Sequence, residues 1–131
     1  SDVCSSDLKK LILAFALVSL TGCSTIQSVF MAPYDGNEYG LITKVRTISQ
    51  IRSCDASSVR DLYSTTLELK NFSQYLPSNE KTAKMNSELY TMVEELYKKQ
   101  QPISPVYCDL KLKTIETTSE TIQSVIGKRP R

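Results

Sequence analysis

Cysteine is the residue of this chain with the most distinctive chemistry, because there are four cysteines and no histidine. A thiol can be acylated, oxidised to a disulfide, or used as a nucleophile or metal ligand. Cys54 and Cys108 lie far apart, and no CxxC spacing indicates a redox pair. Without histidine, a cysteine or serine nucleophile would need an unusual base such as lysine. Two distant cysteines also supply too few ligands for a metal ion.

Other catalytic patterns are missing from the sequence. It contains no nucleophile elbow, no glycine-rich phosphate loop, no HExxH motif and no acidic metal cluster. Glu94 and Glu95 form the only adjacent carboxylate pair, and neighbours on a helix point to different sides. The sequence therefore predicts a protein that is not an enzyme and has no cofactor. A hydrolase that uses carboxylates alone stays the open enzymatic alternative.

Cys23 ends a segment that has the order of an export signal. Lys9 and Lys10 lead into the apolar run Leu11–Leu20, and Leu20-Thr21-Gly22-Cys23 follows. A charged region, a hydrophobic region and small residues before a cleavage site occur in that order in signal peptides. The segment resembles the signal peptide and lipobox of bacterial lipoproteins, and the resemblance covers about the first fifth of the chain.

The resemblance implies a lipid anchor on Cys23. This residue would receive a diacylglyceryl thioether, cleavage would fall between Gly22 and Cys23, and a fatty acid such as palmitate would acylate the new amino group. Thr21 lies where alanine or serine is commoner. Two or three acyl chains, at about 0.8 kcal/mol per buried methylene, anchor a protein stably. In lipoproteins of Gram-negative bacteria, an Asp directly after the cysteine resembles a signal for retention in the inner membrane. Because Ser24 holds this position, the resemblance implies the periplasmic face of the outer membrane in such a host.

Two other interpretations of this segment remain. An uncleaved transmembrane helix is disfavoured because the apolar run is shorter than the roughly 20 residues that span a bilayer. A chance cysteine after an ordinary signal peptide is the second. Residues 1–8 do not fit a cationic leader, since they include Asp2 and Asp7. We expect the native start near Leu8, with the preceding residues, including Cys4, a mistranslation, an assembly artefact or a cloning remnant.

The 109 residues after Gly22 are enough for one small domain. They carry 14 lysines and arginines against 12 aspartates and glutamates, so their charge is nearly balanced. Such a balance does not indicate a nucleic acid or an acidic substrate as partner. Exported proteins meet an oxidising compartment, and the pair Cys54 and Cys108 is therefore predicted to form a disulfide.

Apolar periodicity predicts four helices after a tether that covers residues 23–36. The first helix covers about residues 37–53. Asp55 caps the second, which ends near Leu76, before a proline. Ser78 or Asn79 caps the third, which continues towards Pro102. Ser104-Pro105 begins the fourth, Gly127 provides its C-terminal cap, and residues 128–131 form a solvated basic tail. The predicted inward residues are Ile42, Val45, Ile48 and Ile51; Val59, Leu62, Tyr63, Leu69, Phe72 and Leu76; Ala83, Met85, Leu89, Met92, Val93 and Leu96; and Cys108, Leu112, Ile115, Ile122 and Ile126.

Short connections between successive helices predict an all-α, antiparallel, up-down bundle over residues 37–127. In that topology the first and third turns lie at the same end. Cys54 lies in the connection between the first and second helices. Cys108 lies just after the third connection, at the start of the fourth helix, so the topology brings the two cysteines together. Closing a loop of this length contributes about 4 kcal/mol in the chain-entropy model.

The leading functional hypothesis is a non-catalytic lipoprotein that acts as a binding, adaptor or structural component of the cell envelope. Its partners would be membrane lipid, through acylated Cys23, and another envelope protein or a second copy, but no nucleic acid. Tyr90 and Tyr97 are candidates for the binding face, with core packing as the alternative. Two other functions stay open. The chain could carry a small apolar ligand in its Met- and Leu-lined core, or it could be a phage or plasmid lipoprotein in lysis or receptor blocking.

Overall fold

The computed structural model of the chain describes residues 31–131, of which Ala32–Arg131 form one compact unit. Its helices are α1 (Gly36–Gln50), α2 (Ala56–Gln74), α3 (Glu80–Tyr97) and α4 (Pro105–Gly127), and residues 31–131 contain no strand. The predicted signal peptide, the predicted lipidation site Cys23 and Cys4 lie outside the described residues.

The helices form a four-helix bundle with a square cross-section. Each helix packs closely against two others, in the pairs α1–α2, α2–α3, α3–α4 and α1–α4. Because the connections between successive helices are short, neighbours run antiparallel in an up-down-up-down order. The predicted all-α bundle is confirmed.

Side-chain caps explain where three of the helices begin. Oδ1 of Asp35 accepts hydrogen bonds of 2.9 Å from two backbone N–H groups at the start of α1. Asp55 and Ser104 cap α2 and α4 in the same way, at 2.7 and 3.3 Å, as the sequence predicted. Asn79 stands at the N-cap of α3 but makes no cap hydrogen bond. Its side chain belongs to a buried cluster described below.

The core is a layer of aliphatic side chains at alternating spacings of three and four residues. All five predicted inward residues of α4 are buried. Four small polar residues fill gaps in the core, and their hydroxyls donate to carbonyls of the same helix at 2.6 to 3.1 Å. These residues are Ser49, Thr66, Ser73 and Ser119.

Some predicted inward positions were wrong. Ile51 is 65% exposed because α1 ends at Gln50, and Ser49 takes the inward position instead. In α3 the buried face starts at Thr82 and Asn86. Seven other predicted residues are half-buried. Of these, Ile48, Tyr63, Met85 and Met92 do pack against the core. The others are Phe72, Leu76 and Ala83.

Gly127 does not form the predicted C-terminal cap. It is the last residue of α4, and no glycine among residues 31–131 has a positive φ. A Cβ atom at Gly127 would lie 3.1 Å from Cε2 of Tyr39. The glycine therefore permits close packing of a tyrosine ring from α1 against the end of α4, rather than a left-handed turn.

Candidate functional site

A disulfide joins Cys54 to Cys108 with a Cα–Cα distance of 5.9 Å. Cys54 is in the α1–α2 turn directly before the cap of α2, and Cys108 is buried in the first turn of α4. Nε2 of Gln101, in the α3–α4 connection, donates to the carbonyl oxygen of Cys54 at 3.0 Å. The predicted bond is confirmed, and we call this part of the bundle the disulfide end.

Three tyrosines form an aromatic face between α2 and α3, which we call the tyrosine face: Tyr63, Tyr90 and Tyr97. The rings of Tyr63 and Tyr97 stack, with centroids 4.1 Å apart and planes 12° apart. The hydroxyls of Tyr63 and Tyr90 lie 3.0 Å apart. Tyr97 remains 45% exposed, whereas Tyr63 and Tyr90 are half-buried. The structure thus brings the two predicted candidates, Tyr90 and Tyr97, onto one face through Tyr63, which the sequence had assigned to the core.

Charged groups surround this face. The Tyr90 hydroxyl also donates to Oε2 of Glu94 at 2.9 Å, and Nζ of Lys70 lies 4.5 Å from the centre of the Tyr90 ring. The hydrogen bonds with Tyr63 and Glu94 raise the pKa of Tyr90 above its ordinary value. The Tyr90 hydrogen bond in turn lowers the pKa of Glu94. At neutral pH the phenol is therefore protonated and the carboxylate is charged, and both shifts move the pKa values away from neutrality.

A buried polar cluster closes the opposite end of the bundle, and the sequence analysis missed it. Oε2 of Glu38 accepts from Nη1 of Arg129 at 2.6 Å, and both side chains are buried. Nη2 of Arg129 donates to Oδ1 of Asn79 at 2.5 Å and also to the hydroxyl of Thr82. Oε1 of Glu38 accepts from the amides of Asn79 and Asn86 at 3.0 and 3.3 Å. These five residues form the ionic cluster, and we call this part of the bundle the ionic end.

The ionic cluster corrects the prediction of a solvated basic tail. Arg129 is buried because three acceptors surround its guanidinium, and a fork of fixed N–H groups can satisfy all three. Some signal was present in the sequence: Glu38 lies four residues before Ile42, and Asn86 lies three before Leu89, each in register with an apolar stripe. Oδ1 of Asn86 is buried with no hydrogen-bond partner among the described atoms.

The chain that leads into α1 is held at this same end. The backbone N–H of Ala32 donates to the carbonyl of Ser78 at 3.1 Å, and that of Tyr34 donates to the carbonyl of Pro130 at 2.9 Å. The guanidinium of Arg131 lies 4.6 Å from the centre of the Tyr34 ring. Ala32 is buried. The last residues of the predicted tether are therefore part of the folded unit, where the α2–α3 turn and the tail hold them.

Residues 31–131 hold no group of three or more cysteine, aspartate or glutamate side chains placed to bind a metal ion. A groove of about 210 Å³ lies between α3 and α4, lined by Met85, Glu88, Thr117, Thr118, Thr121 and Ile122. It is open to the outside, so it gives no support to an apolar ligand carried within the core.

Comparisons of the chain with protein-family models, with curated proteins and with solved structures found no match. Within the described part of the chain, no helix has the length and apolar character needed to cross a membrane.

Proposed function

We propose that this chain is a membrane-anchored bacterial lipoprotein whose non-catalytic helical domain acts as a binding, adaptor or structural component of the cell envelope. The observation that carries the proposal is the lipobox Leu20-Thr21-Gly22-Cys23 behind a charged and apolar leader. Acylated Cys23 holds the domain at the lipid surface, and Ser24 directs it to the periplasmic face of the outer membrane in a Gram-negative host.

The start of the folded unit agrees with a short anchor. Ala32 lies nine residues after Cys23, and nine extended residues span at most about 30 Å. Because Ala32 is at the ionic end, the chain from Cys23 enters the folded unit at that end.

The disulfide supports export of the domain. Such bonds persist in oxidising compartments such as the bacterial periplasm and are rare in the cytosol. The bond between Cys54 and Cys108 links parts of the chain that are 54 residues apart, which makes it a structural rather than a local constraint.

The tyrosine face is the surface that we propose for partner binding. Tyrosines are enriched at protein interfaces because one side chain supplies a large apolar area and a polar tip. Here Tyr63 holds Tyr97 by stacking, which fixes the ring before a partner arrives and lowers the entropy cost of binding. At the edge of the face, Nζ of Lys98 lies 3.4 Å from Oε1 of Glu94, so this edge carries one positive and one negative charge.

Metabolic labelling with a palmitate analogue tests the anchor. We expect the full-length chain in a bacterial host to incorporate the label and to fractionate with membranes. Cys23→Ser should remove both the label and the membrane association, whereas Cys4→Ser, as the matched control, should change neither. An unlabelled wild-type chain, or a mature protein whose intact mass shows an unmodified Cys23, would contradict the proposed lipid anchor.

Site-specific photocrosslinking tests the binding face. A photoreactive phenylalanine replaces Tyr97 in one variant and Tyr75, which is 88% exposed away from the tyrosine face, in the control. We expect a discrete crosslinked envelope protein from position 97 and none from position 75. Crosslinks from both positions, or from neither, would count against the tyrosine face as a binding surface.

A further inference from the structure

One face of α4 points away from the bundle between Leu110 and Ser124. It consists of Leu110, Thr114, Thr117, Thr121 and Ser124, all exposed, and we call it the outer face of α4. The spacing alternates between four and three residues, as in the contact seam of a coiled coil. No residue of the seam is charged, and Leu110 is 63% exposed.

The threonines of this face are less polar than their type suggests. The hydroxyls of Thr114, Thr117 and Thr121 donate to the carbonyls four residues earlier, at 3.0, 3.0 and 3.1 Å. Each hydroxyl is thereby satisfied within α4, which leaves the methyl groups to form the exposed surface. Leu110 and these methyl groups make a continuous apolar strip, and no other helix of residues 31–131 packs on that side of α4.

Two opposite charges flank the strip on one edge. Lys113 and Glu120 are seven residues apart, and both are exposed. Within the chain, Nζ of Lys113 lies 2.8 Å from Oδ2 of Asp109, and Oε1 of Glu120 lies 3.8 Å from Nη2 of Arg46. Such exposed pairs are weak, so both charges remain accessible to a partner.

The order of these charges selects one partner geometry. If a second copy of α4 lies antiparallel against the first, Lys113 of each copy faces Glu120 of the other, and two ion pairs form by symmetry. In a parallel arrangement the same flanking positions face uncharged residues, Thr118 and Val125, and no ion pair forms. Flanking charges of this kind set partner choice and orientation in coiled coils.

We propose that two copies of this chain associate through the outer face of α4, antiparallel and related by a two-fold axis near Thr117. The contact is isologous, since the same strip supplies both sides and closes the dimer without leaving a free copy of the surface. This inference does not depend on the lipid anchor or on the tyrosine face, so its failure and theirs can be told apart.

Charge reversal in the full-length protein tests the pairing. Lys113→Glu and Glu120→Lys should each weaken dimerisation about tenfold, because each places like charges opposite one another in both symmetric positions. The double reversal should restore the dimer to within about threefold of the wild type. Analytical ultracentrifugation in detergent measures the dimer fraction, and circular dichroism checks that each variant keeps its helix content. A wild-type chain that stays monomeric throughout, or single reversals without effect, would overturn the proposal.

Cysteine crosslinking tests the direction. Thr117→Cys should crosslink two copies under mild oxidation, since it lies at the axis. Leu110→Cys should not crosslink to itself but should crosslink to Ser124→Cys when the two variants are mixed. Ser64→Cys, exposed on α2, is the control and should remain uncrosslinked. Efficient self-crosslinking at both 110 and 124 would indicate a parallel pair, and crosslinks only to other proteins would indicate a different occupant. Either result excludes the proposed dimer.

Discussion

The disulfide end and the ionic end both join distant parts of the chain, but by different chemistry. At the disulfide end, a covalent bond connects Cys54 with Cys108. At the ionic end, Glu38 and Arg129 meet inside a shell of amide and hydroxyl groups. A disulfide stabilises mainly by restricting the unfolded chain, so its contribution is insensitive to its neighbours. Burying a charged group has a desolvation cost, which the counter-charge and the hydrogen-bond partners offset. A buried ion pair therefore stabilises only while every partner is in place. The ionic end is therefore the more vulnerable to single substitutions.

Arg129→Met should produce a large loss of stability, comparable to that from removing the disulfide. It leaves the carboxylate of Glu38 buried without its counter-charge, and breaking a buried pair in this way costs about 3–5 kcal/mol. Urea denaturation measures the change in the free energy of unfolding. Lys128→Met, one residue earlier and exposed, is the matched control and should stay within about 0.5 kcal/mol of the wild type. A loss below about 1 kcal/mol for Arg129→Met would mean that water replaces the guanidinium, and the contrast between the ends would fail.

Removing the disulfide should cost about 4 kcal/mol, the value for a loop of this length in the chain-entropy model. The variant Cys54→Ser with Cys108→Ser tests this by the same denaturation measurement. Combining it with the milder Arg129→Lys tests the independence of the two ends. Because the ends are separated by the length of the helices, we expect the two losses to add within about 0.5 kcal/mol. A larger departure from additivity would show that the ends are coupled.

Lowering the pH should have a smaller, local effect on stability, at the disulfide end. Hydrogen bonds from Ser58, Ser57 and Ser53 lower the pKa of Asp55 from 3.8 to about 2. Since the folded-state pKa lies below the unfolded value, the stabilising contribution of this cap is complete above about pH 4 and is lost as the pH falls through about 2. Asp55→Asn keeps an oxygen for the cap but cannot titrate. Thermal denaturation between pH 5 and pH 2 should therefore show a shallower acid dependence for the variant, and parallel curves would argue against the shift.

The sequence predicted the disulfide end better than the ionic end, for a physical reason. At the disulfide end the short turns, the cap at Asp55 and the cysteine pair all depend on local spacing, and the apolar stripe of α4 keeps a regular period from Cys108 to Ile126. Topology and pairing then follow from one another, and both were confirmed.

At the ionic end the decisive partners are far apart in sequence. Glu38 and Arg129 are 91 residues apart. The register of Glu38 with the apolar stripe of α1 indicates that it is buried, but nothing in the sequence identifies Arg129 as the residue that faces it. The same holds for Gly127. In the sequence it looks like the C-terminal cap of a helix, whereas its closeness to Tyr39 is visible only in the structure.

The position of Arg129 near the end of the sequence given also bears on the order in which the domain is completed as it is made. A chain that emerges from its N-terminus presents Cys108 roughly twenty residues before Arg129. Oxidation can therefore join the α1–α2 turn to the start of α4 while the carboxylate of Glu38 is still in water. Only when Arg129 arrives can the opposite end exclude that water. We expect such a chain to close first at the disulfide end and last beside the segment that leads to Cys23.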